Sequence, residues 1–281
     1  MNQSNEQEGQ DHLTPTERGI LGTLRKTLDS AQAGTQHPPW RTAFLTDACL
    51  CRFLRARNWD VTKAFNMLQE TLAWRSEFRP DAISWDQIQS EAASGKMYVA
   101  AEPDRLGRRV LVMRPANENS KDHDNQIKFL VYCLETALRR KTMDNVPRGA
   151  GVDLSAEQIC LVIDYKGWSM FNAPPMKTSK ETLSIFQNHY PERLGAAICY
   201  NPPTIFRAFW GMISPFIDPN TYTKINFLGP KDSNHNEVLS SLFHLDKLEN
   251  ALGGTSAVAF DFLEYEARMR EEEKMFNPVQ H

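Results

Sequence analysis

The sequence predicts an α/β protein: an N-terminal helical module followed by a mostly parallel sheet with covering helices. Three observations predict it. Up to Pro80 the chain carries helix-start signals and apolar residues at three- and four-residue spacing, with no strand pattern. Residues 158–163 (QICLVI) and 196–200 (AAICY) are short unbroken apolar runs, as expected of strands covered on both faces. From residue 158 onward strands alternate with helices, which implies crossover connections and parallel pairing.

Residues 1–12 are polar and aperiodic, so they read as a disordered tail. Thr14-Pro15-Thr16-Glu17 opens the first helix. Thr14 is the N-cap, Pro15 suits the first helical position, and Glu17 closes a capping box. Ile20, Leu21, Leu24 and Leu28 mark one face of this helix to about residue 31. A loop over 34–39 leads to a short helix from about Thr46, with Leu50, Phe53 and Leu54 inward. Asn58-Trp59-Asp60 breaks it. Asp60 can cap the next helix, whose inward residues are Ala64, Met67, Leu68 and Trp74. Pro80 closes this module. Residues 96–101 and 109–114 read as strands joined by a hairpin-like turn, Asp104-Arg105-Leu106-Gly107, in which Gly107 suits positive φ. A helix is expected over 125–141, with Ile127, Leu130, Val131, Leu134 and Leu138 on one side. The Gly-, Pro- and Asp-rich stretch 143–155 is a loop. After strand 158–163, Thr178 and Glu181 have the spacing of a second capping box, opening a helix to about His189. Strand 196–200 ends at Asn201-Pro202-Pro203, because proline cannot donate to a central ladder. A helix over 204–213 follows, stopped by Pro215. Then come a polar turn over 218–224, a strand over 225–228, a helix over 238–245, a Gly253-Gly254 turn and a charged terminal helix over 260–275. The chain thus divides into a tail (1–12), a helical module (13–80), an α/β domain (85–255) and a C-terminal helix and tail (256–281).

The 281 residues allow one large or two modest domains. A net charge of −3 provides no global basic field to hold a phosphate backbone, which argues against nucleic acid as a partner. Cys49, Cys51, Cys133, Cys160 and Cys199 are odd in number and lack paired spacing. They read as reduced thiols of a cytoplasmic protein rather than a disulfide framework or zinc site. The N-terminal residues lack the basic start and apolar core of a signal peptide. No run approaches the ~20 apolar residues of a membrane span. Membrane contact is therefore expected to be peripheral.

No GxSxG, P-loop, HExxH or GxGxxG motif occurs. The chain reads as a non-enzyme, with no catalytic residue, no metal site and no cofactor assigned. No spacing supports haem ligation by His189, Tyr190 or a cysteine. The 204–213 helix is apolar on nearly every side: Ile205, Phe206, Phe209, Trp210, Met212 and Ile213, with Phe216 and Ile217 beyond. Such a helix is buried as core or meets something apolar such as a lipid. Thr221 and Lys224 are three apart in the polar turn. Lysine supplies a cation for phosphate and threonine a hydroxyl, although Lys224 reads equally as a strand-edge lysine. Arg52, Arg55 and Arg57 cluster at a helix end. They suit phosphate by their bidentate fork, or merely face solvent beside a helix C-terminus. Asp164 ends a strand where α/β proteins place functional groups, or it caps the turn that follows. Apolar helix, polar turn and strand together suit a ligand with a long apolar part and a polar head.

LCRFLRARNWDVTKAFNMLQETLAWR, DRLGRRVLV, VIDYKG, YPERLG, NPPTIF, PFIDPNTYTKINFLG and LGG follow one another over roughly residues 45–255. This ordered series resembles the CRAL-TRIO family, in particular its phosphatidylinositol transfer proteins. The resemblance implies a lipid cavity floored by the sheet and closed by a mobile apolar helix, here 204–218, with Phe206, Phe209, Trp210, Met212, Ile213 and Phe216. It implies a phosphatidylinositol headgroup held by Arg57, Thr221 and Lys224, supported by Glu192 and Asp218. Ile159, Leu161, Ile163, Ile198 and Phe227 are the expected cavity walls. Asn58 stands where phosphoinositide-handling members often carry a basic residue, which removes one headgroup contact. Ile159 and Leu161 replace the hydroxyl residues of phosphatidylcholine-carrying members, and Leu111 replaces a favoured tyrosine. The second ligand is therefore expected to be another lipid, a sterol or some other apolar molecule. The implied function is a cytoplasmic phosphatidylinositol-binding and transfer protein, touching membranes transiently. It would carry its lipid between membranes or present it to lipid-modifying enzymes, with lipid kinases as candidate partners. The alternatives are a carrier or sensor of another hydrophobic ligand, and a small-molecule enzyme using the α/β crevice.

Overall fold

A computed structural model of the chain describes residues 10–11, 13–32, 34, 36–139, 152–153, 157–169, 175–204, 206, 210 and 222–276. Most of the expected tail, of the 143–155 loop, of the 204–213 helix and of the 218–224 turn lies outside them. The described residues fall into two compact units. One draws on 1–81, 140–157 and 183–193, the other on 82–139, 158–182 and 194–281.

The first unit is helical: α1 (Pro15–Gln32), α2 (Pro39–Phe44), α3 (Asp47–Arg55) and α4 (Val61–Phe78). A short antiparallel pair, β1 (Gln10–Asp11) and β4 (Val152–Asp153), adjoins them. The starts follow the local chemistry. Thr14 Oγ1 accepts from Glu17 N at 3.2 Å while Glu17 Oε2 accepts from Thr14 N at 2.8 Å, a reciprocal capping box. Thr46 caps α3 through Cys49 N at 3.2 Å, and Asp60 caps α4 through Lys63 N at 3.0 Å. Leu24, Leu50, Leu54 and Leu68 are fully buried in the shared core. Each contributes roughly 1.5–3 kcal/mol by leaving water. Trp74 is only half-buried, and its ring stacks on His189 at 4.3 Å.

The second unit is built on a five-stranded sheet of order β2-β3-β5-β6-β7. Its strands are β2 (Met97–Val99), β3 (Arg109–Met113), β5 (Ile159–Asp164), β6 (Leu194–Tyr200) and β7 (Ile225–Leu228). β2 is antiparallel to β3, and every later pairing is parallel, as the strand–helix alternation demands. Helices α5 (Trp85–Ala92), α6 (His123–Leu138), α8 (His235–Leu242) and α9 (Phe262–Phe276) accompany it, with the first half of α7 (Met176–His189), whose residues from 183 on count with the first unit. The edge of β2 is blocked by α9: Val99 N donates to Tyr265 Oη at 3.2 Å, and Arg268 Nη2 donates to Val99 O. Covering an edge in this way removes a template for strand addition.

Several boundaries differ from expectation. Helix α8 spans 235–242 rather than 238–245, and the strand expected over 96–101 spans 97–99. Helix α6 begins at His123, because Asp122 caps it through Asn125 N at 3.1 Å. Helix α7 begins at Met176, so Thr178 and Glu181 are not a capping box. Their side chains turn to α6 instead. Thr178 Oγ1 lies 3.1 Å from Gln126 Oε1 and 3.0 Å from His123 Nδ1, and Glu181 Oε2 lies 2.8 Å from His123 Nε2. The β2–β3 connection is longer than a tight hairpin. Gly107 does take positive φ (77°). The Asp104 carboxylate organises the loop by accepting from Leu106 N, Arg108 N and Arg108 Nε.

Candidate functional site

The strand pairings sort the sheet's side chains between its two faces, because neighbours in register point the same way. Leu161 pairs with Leu111 and Ala197, Ile163 with Met113 and Cys199, and Ala197 and Cys199 with Ile225 and Phe227. These positions and Ile159 make one apolar face. Leu161, Ile163, Met113, Ile225 and Phe227 on it are only half-buried; the first three lie on inner strands, where apolar side chains are normally covered, and the last two on the edge strand β7. Arg109 begins the same face, and its guanidinium is spoken for. It donates to Thr136 O at 3.0 Å and to both carboxylate oxygens of Glu272 at 2.9 and 2.7 Å.

Ile198 departs from the expected wall. It pairs with Val162 and Asn226, so it lies on the opposite face from Ile159, Leu161, Ile163 and Phe227, and it is fully buried. The period of a strand is two, so neighbouring residues cannot line one wall.

An aromatic group gathers at the β7 side of the half-buried face. The Phe227 ring lies 6.0 Å from Phe206 and 4.9 Å from Trp210. Tyr165 lies 4.6 Å from Phe206, and Tyr222 stacks on Trp210 at 5.9 Å. Sequence reasoning missed Tyr165, Met113, Cys199 and Ile225. Alternation along each strand was the signal that could have found the last three. Burial pushes the Cys199 and Cys160 thiols up to about 12, so both stay protonated and behave as apolar groups.

The strand ends are polar. Asp164 is buried, and its Oδ1 accepts from Asn201 Nδ2 at 2.9 Å and Lys166 N at 3.0 Å. Its role as the turn cap is thereby explained. Lys224 is half-buried directly before β7, where its carbonyl accepts from Ala197 N at 2.8 Å. Phe206 and Trp210 also belong to the sheet unit. Arg57 and Glu192 belong to the helical unit. Arg57 is half-buried in the turn after α3, and its Nη1 donates to Ala56 O at 3.0 Å. Glu192 is half-buried with φ of 57°, a left-handed conformation that costs a non-glycine residue on the order of 1 kcal/mol. Thr221, Asp218, Phe209, Met212, Ile213 and Phe216 lie outside the described residues.

Arg52 is not a solvent-facing member of the arginine cluster. It is almost fully buried and ion-paired with Glu157, which Arg193 also reaches at 3.5 Å. Burial, with Arg193 nearby, pulls its guanidinium down to about 10. Among the described residues no group of histidines, cysteines and carboxylates has the arrangement of a metal site. Among them, too, no helix is long and apolar enough to cross a membrane.

Comparisons with known proteins agree with this architecture. The CRAL/TRIO domain matches residues 93–254, and the CRAL/TRIO N-terminal domain matches residues 21–70. A CRAL-TRIO domain-containing protein of Schizosaccharomyces pombe is 37% identical over 212 residues, 75% of this chain and 19% of that protein. Phosphatidylinositol transfer protein PDR17 of Saccharomyces cerevisiae is 30% identical over 239 residues, 80% of this chain and 63% of that protein. The SEC14 cytosolic factor of Eremothecium gossypii is 30% identical over 258 residues, 88% of this chain and 79% of that protein. The chain thus spans about a fifth of the first relative's length and under two thirds of the second's. The crystal structure of Sfh5 shares the fold, with a TM-score of 0.60 at 18% identity, covering 94% of this chain and 99% of Sfh5. With its helical N-terminal region, its mostly parallel sheet and an apolar sheet face left half open, the chain belongs to the CRAL-TRIO family and has that family's lipid-binding fold.

Proposed function

We propose that this chain binds phosphatidylinositol and moves it between membranes. The acyl chains would lie over the half-buried apolar sheet face. Lys224, with Arg57, Thr221, Glu192 and Asp218, would read the inositol phosphate, and the apolar segment containing Phe206, Phe209, Trp210, Met212, Ile213 and Phe216 would close over the chains. The observation that carries this reading is the sheet face itself: five half-buried apolar side chains on β3, β5 and β7, with buried Ala197 and Cys199 of β6 between them. The 30% identity to a phosphatidylinositol transfer protein supports the choice of headgroup.

The energetics divide the labour. A two-chain phospholipid has about 30 CH₂ groups, so leaving its chains in water costs roughly 24 kcal/mol at ~0.8 kcal/mol each. Only an apolar surface offsets a cost of that size. A charge-assisted hydrogen bond to phosphate contributes about 1.5–3 kcal/mol, too little to extract a lipid but enough to choose one. The chains set affinity and the headgroup group sets selection.

The test is vesicle-to-vesicle transfer of labelled phosphatidylinositol by Lys224→Ala. Loss of that transfer with an unchanged circular dichroism spectrum is expected. Transfer at the parent rate would remove Lys224 from the headgroup site. A second ligand exchanged against phosphatidylinositol would be apolar rather than choline-headed. What favours this is that Leu111, Ile159 and Leu161 on the lipid face carry no hydroxyl. Mass spectrometry of lipids extracted from the protein purified from cells distinguishes a phosphatidylinositol carrier or sensor from a protein holding another apolar ligand. A nucleotide in that extract would favour the enzyme alternative.

A further inference from the structure

The opposite face of the sheet carries a cavity. Tyr98, Val110 and Val112 point to the face that holds Val162 and Ile198. Beneath them is a cavity of about 510 Å³, closed by the segment 243–260 and the first turns of α9. Its inner walls are Tyr98, Val110, Val112, Phe243, Leu252 and Tyr265, none more than 4% exposed. Phe260 joins Tyr98 at 4.8 Å and Tyr265 at 5.5 Å, so three rings form one side. The size is that of a small-molecule site. None of the residues assigned to the lipid belongs to it.

The charges around this cavity are unbalanced. Its cations are already engaged. Lys247 Nζ reaches Glu102 at 2.9 Å, and Arg268 donates to Val99 O while lying 5.3 Å from the Tyr265 ring centroid. Glu249 is engaged too, by Tyr98 Oη at 2.5 Å and Arg114 Nη2 at 2.6 Å. Asp246, Asp261 and Glu264 remain, all exposed at the rim and without an ion pair among the described residues; Asp261 Oδ1 accepts from Glu264 N at 2.9 Å, and Asp246 lies in the field of Lys247. An apolar, aromatic interior lined by five carboxylates against two basic side chains, Lys247 and Arg268, disfavours anions and favours one kind of guest.

We propose that this cavity binds a small amphipathic organic cation, its apolar body against Tyr98, Val110, Val112 and Phe260 and its ammonium group at Asp246, Asp261 and Glu264. The Tyr98 and Tyr265 rings each have an arginine guanidinium 5.3 Å from the centroid, so the guest's charge belongs at the rim rather than in the interior. The site is independent of the lipid reading, because it lies on the other face of the sheet.

The experiment is isothermal titration of the full chain with three probes of one shape: 2-phenylethylammonium, 2-phenylethanol and phenylacetate. The ammonium is expected to bind about tenfold or more tightly than phenylacetate at low salt, with the alcohol between them. Asp246→Lys combined with Glu264→Lys, both on exposed side chains, is expected to reverse that order. Ala259→Trp at the exposed mouth is expected to abolish probe binding and to leave phosphatidylinositol transfer at the parent rate. Absence of binding by any probe, equal affinities for the three, or an order that the double lysine variant leaves unchanged would each overturn the proposal. So would a fall in lipid transfer in step with probe binding in Ala259→Trp, since the cavity would then be part of the lipid path.

Discussion

Arg52 offers the sharpest test of what its neighbourhood is for. The helical unit holds two guanidiniums, Arg52 and Arg193, against the single carboxylate of Glu157. Arg52 is 4% exposed and Glu157 16% at the side chain, so both charges depend on each other for the hydration they have lost. Breaking a buried pair from one side costs about 3–5 kcal/mol. The geometry orders the two ways of breaking it. Arg52→Ala leaves the Glu157 carboxylate with the Arg193 guanidinium, Nη1 lying 3.5 Å from Oε2, so the cost falls near the lower end, about 3 kcal/mol. Glu157→Ala takes the carboxylate from Arg52, the more deeply buried member of the pair, and falls near the upper end, about 5 kcal/mol. Replacing both by methionine removes the desolvation cost together with the attraction, and recovers most of the loss. Urea unfolding followed by tryptophan fluorescence measures the series, and phosphatidylinositol transfer is measured in parallel at a temperature where each variant is folded. Arg52 acting as a phosphate ligand predicts the opposite pattern: stability within about 0.5 kcal/mol of the parent and transfer lost. That pattern, or Arg52→Ala costing more than Glu157→Ala, would refute the buried-pair reasoning.

Three further outcomes are expected. His189 is stacked on Trp74 and hydrogen-bonded to Thr71, and burial, with Arg75 nearby, pulls its pKa down to about 4 from 6.5. The folded state therefore binds fewer protons than the unfolded one in that window. Stability is complete above pH 6.5 and falls by roughly 2–3 kcal/mol as pH drops toward 4, a slope that His189→Gln should flatten in urea titrations at stepped pH. Gly254→Ala would place a Cβ 1.9 Å from the Leu248 carbonyl oxygen, a backbone atom that cannot rotate away. A thermal scan should show a loss of several kcal/mol or no folded protein. Leu161→Ser and Ile198→Val separate the sheet's two faces. The first should lower lipid transfer with little loss of stability. The second should cost about 0.5–1.5 kcal/mol in urea and leave transfer unchanged.

Much of this protein is written in short stretches of chain. Thr14, Thr46 and Asp60 start helices because their side chains satisfy amides three residues on, a relation contained within four residues. The apolar runs at 158–163 and 196–200 are strands, and their alternation with helices leaves parallel pairing as the outcome. The motif series from RFLRAR to LGG carries the family resemblance in the sequence itself. Tertiary structure decided what sequence spacing cannot carry. Thr178 and Glu181 look like a cap and instead serve His123, more than fifty residues away. Arg52 looks like one of three exposed arginines and instead lies buried against a carboxylate 105 positions on. Ile198 looks like its apolar neighbours, yet register with Val162 turns it to the other face. The caps at Thr14, Thr46 and Asp60 are settled by atoms a few bonds apart, so the sequence by itself determines them. Charge partners and the facing of a strand depend on which distant groups share a low-dielectric neighbourhood, and only the packed chain decides that.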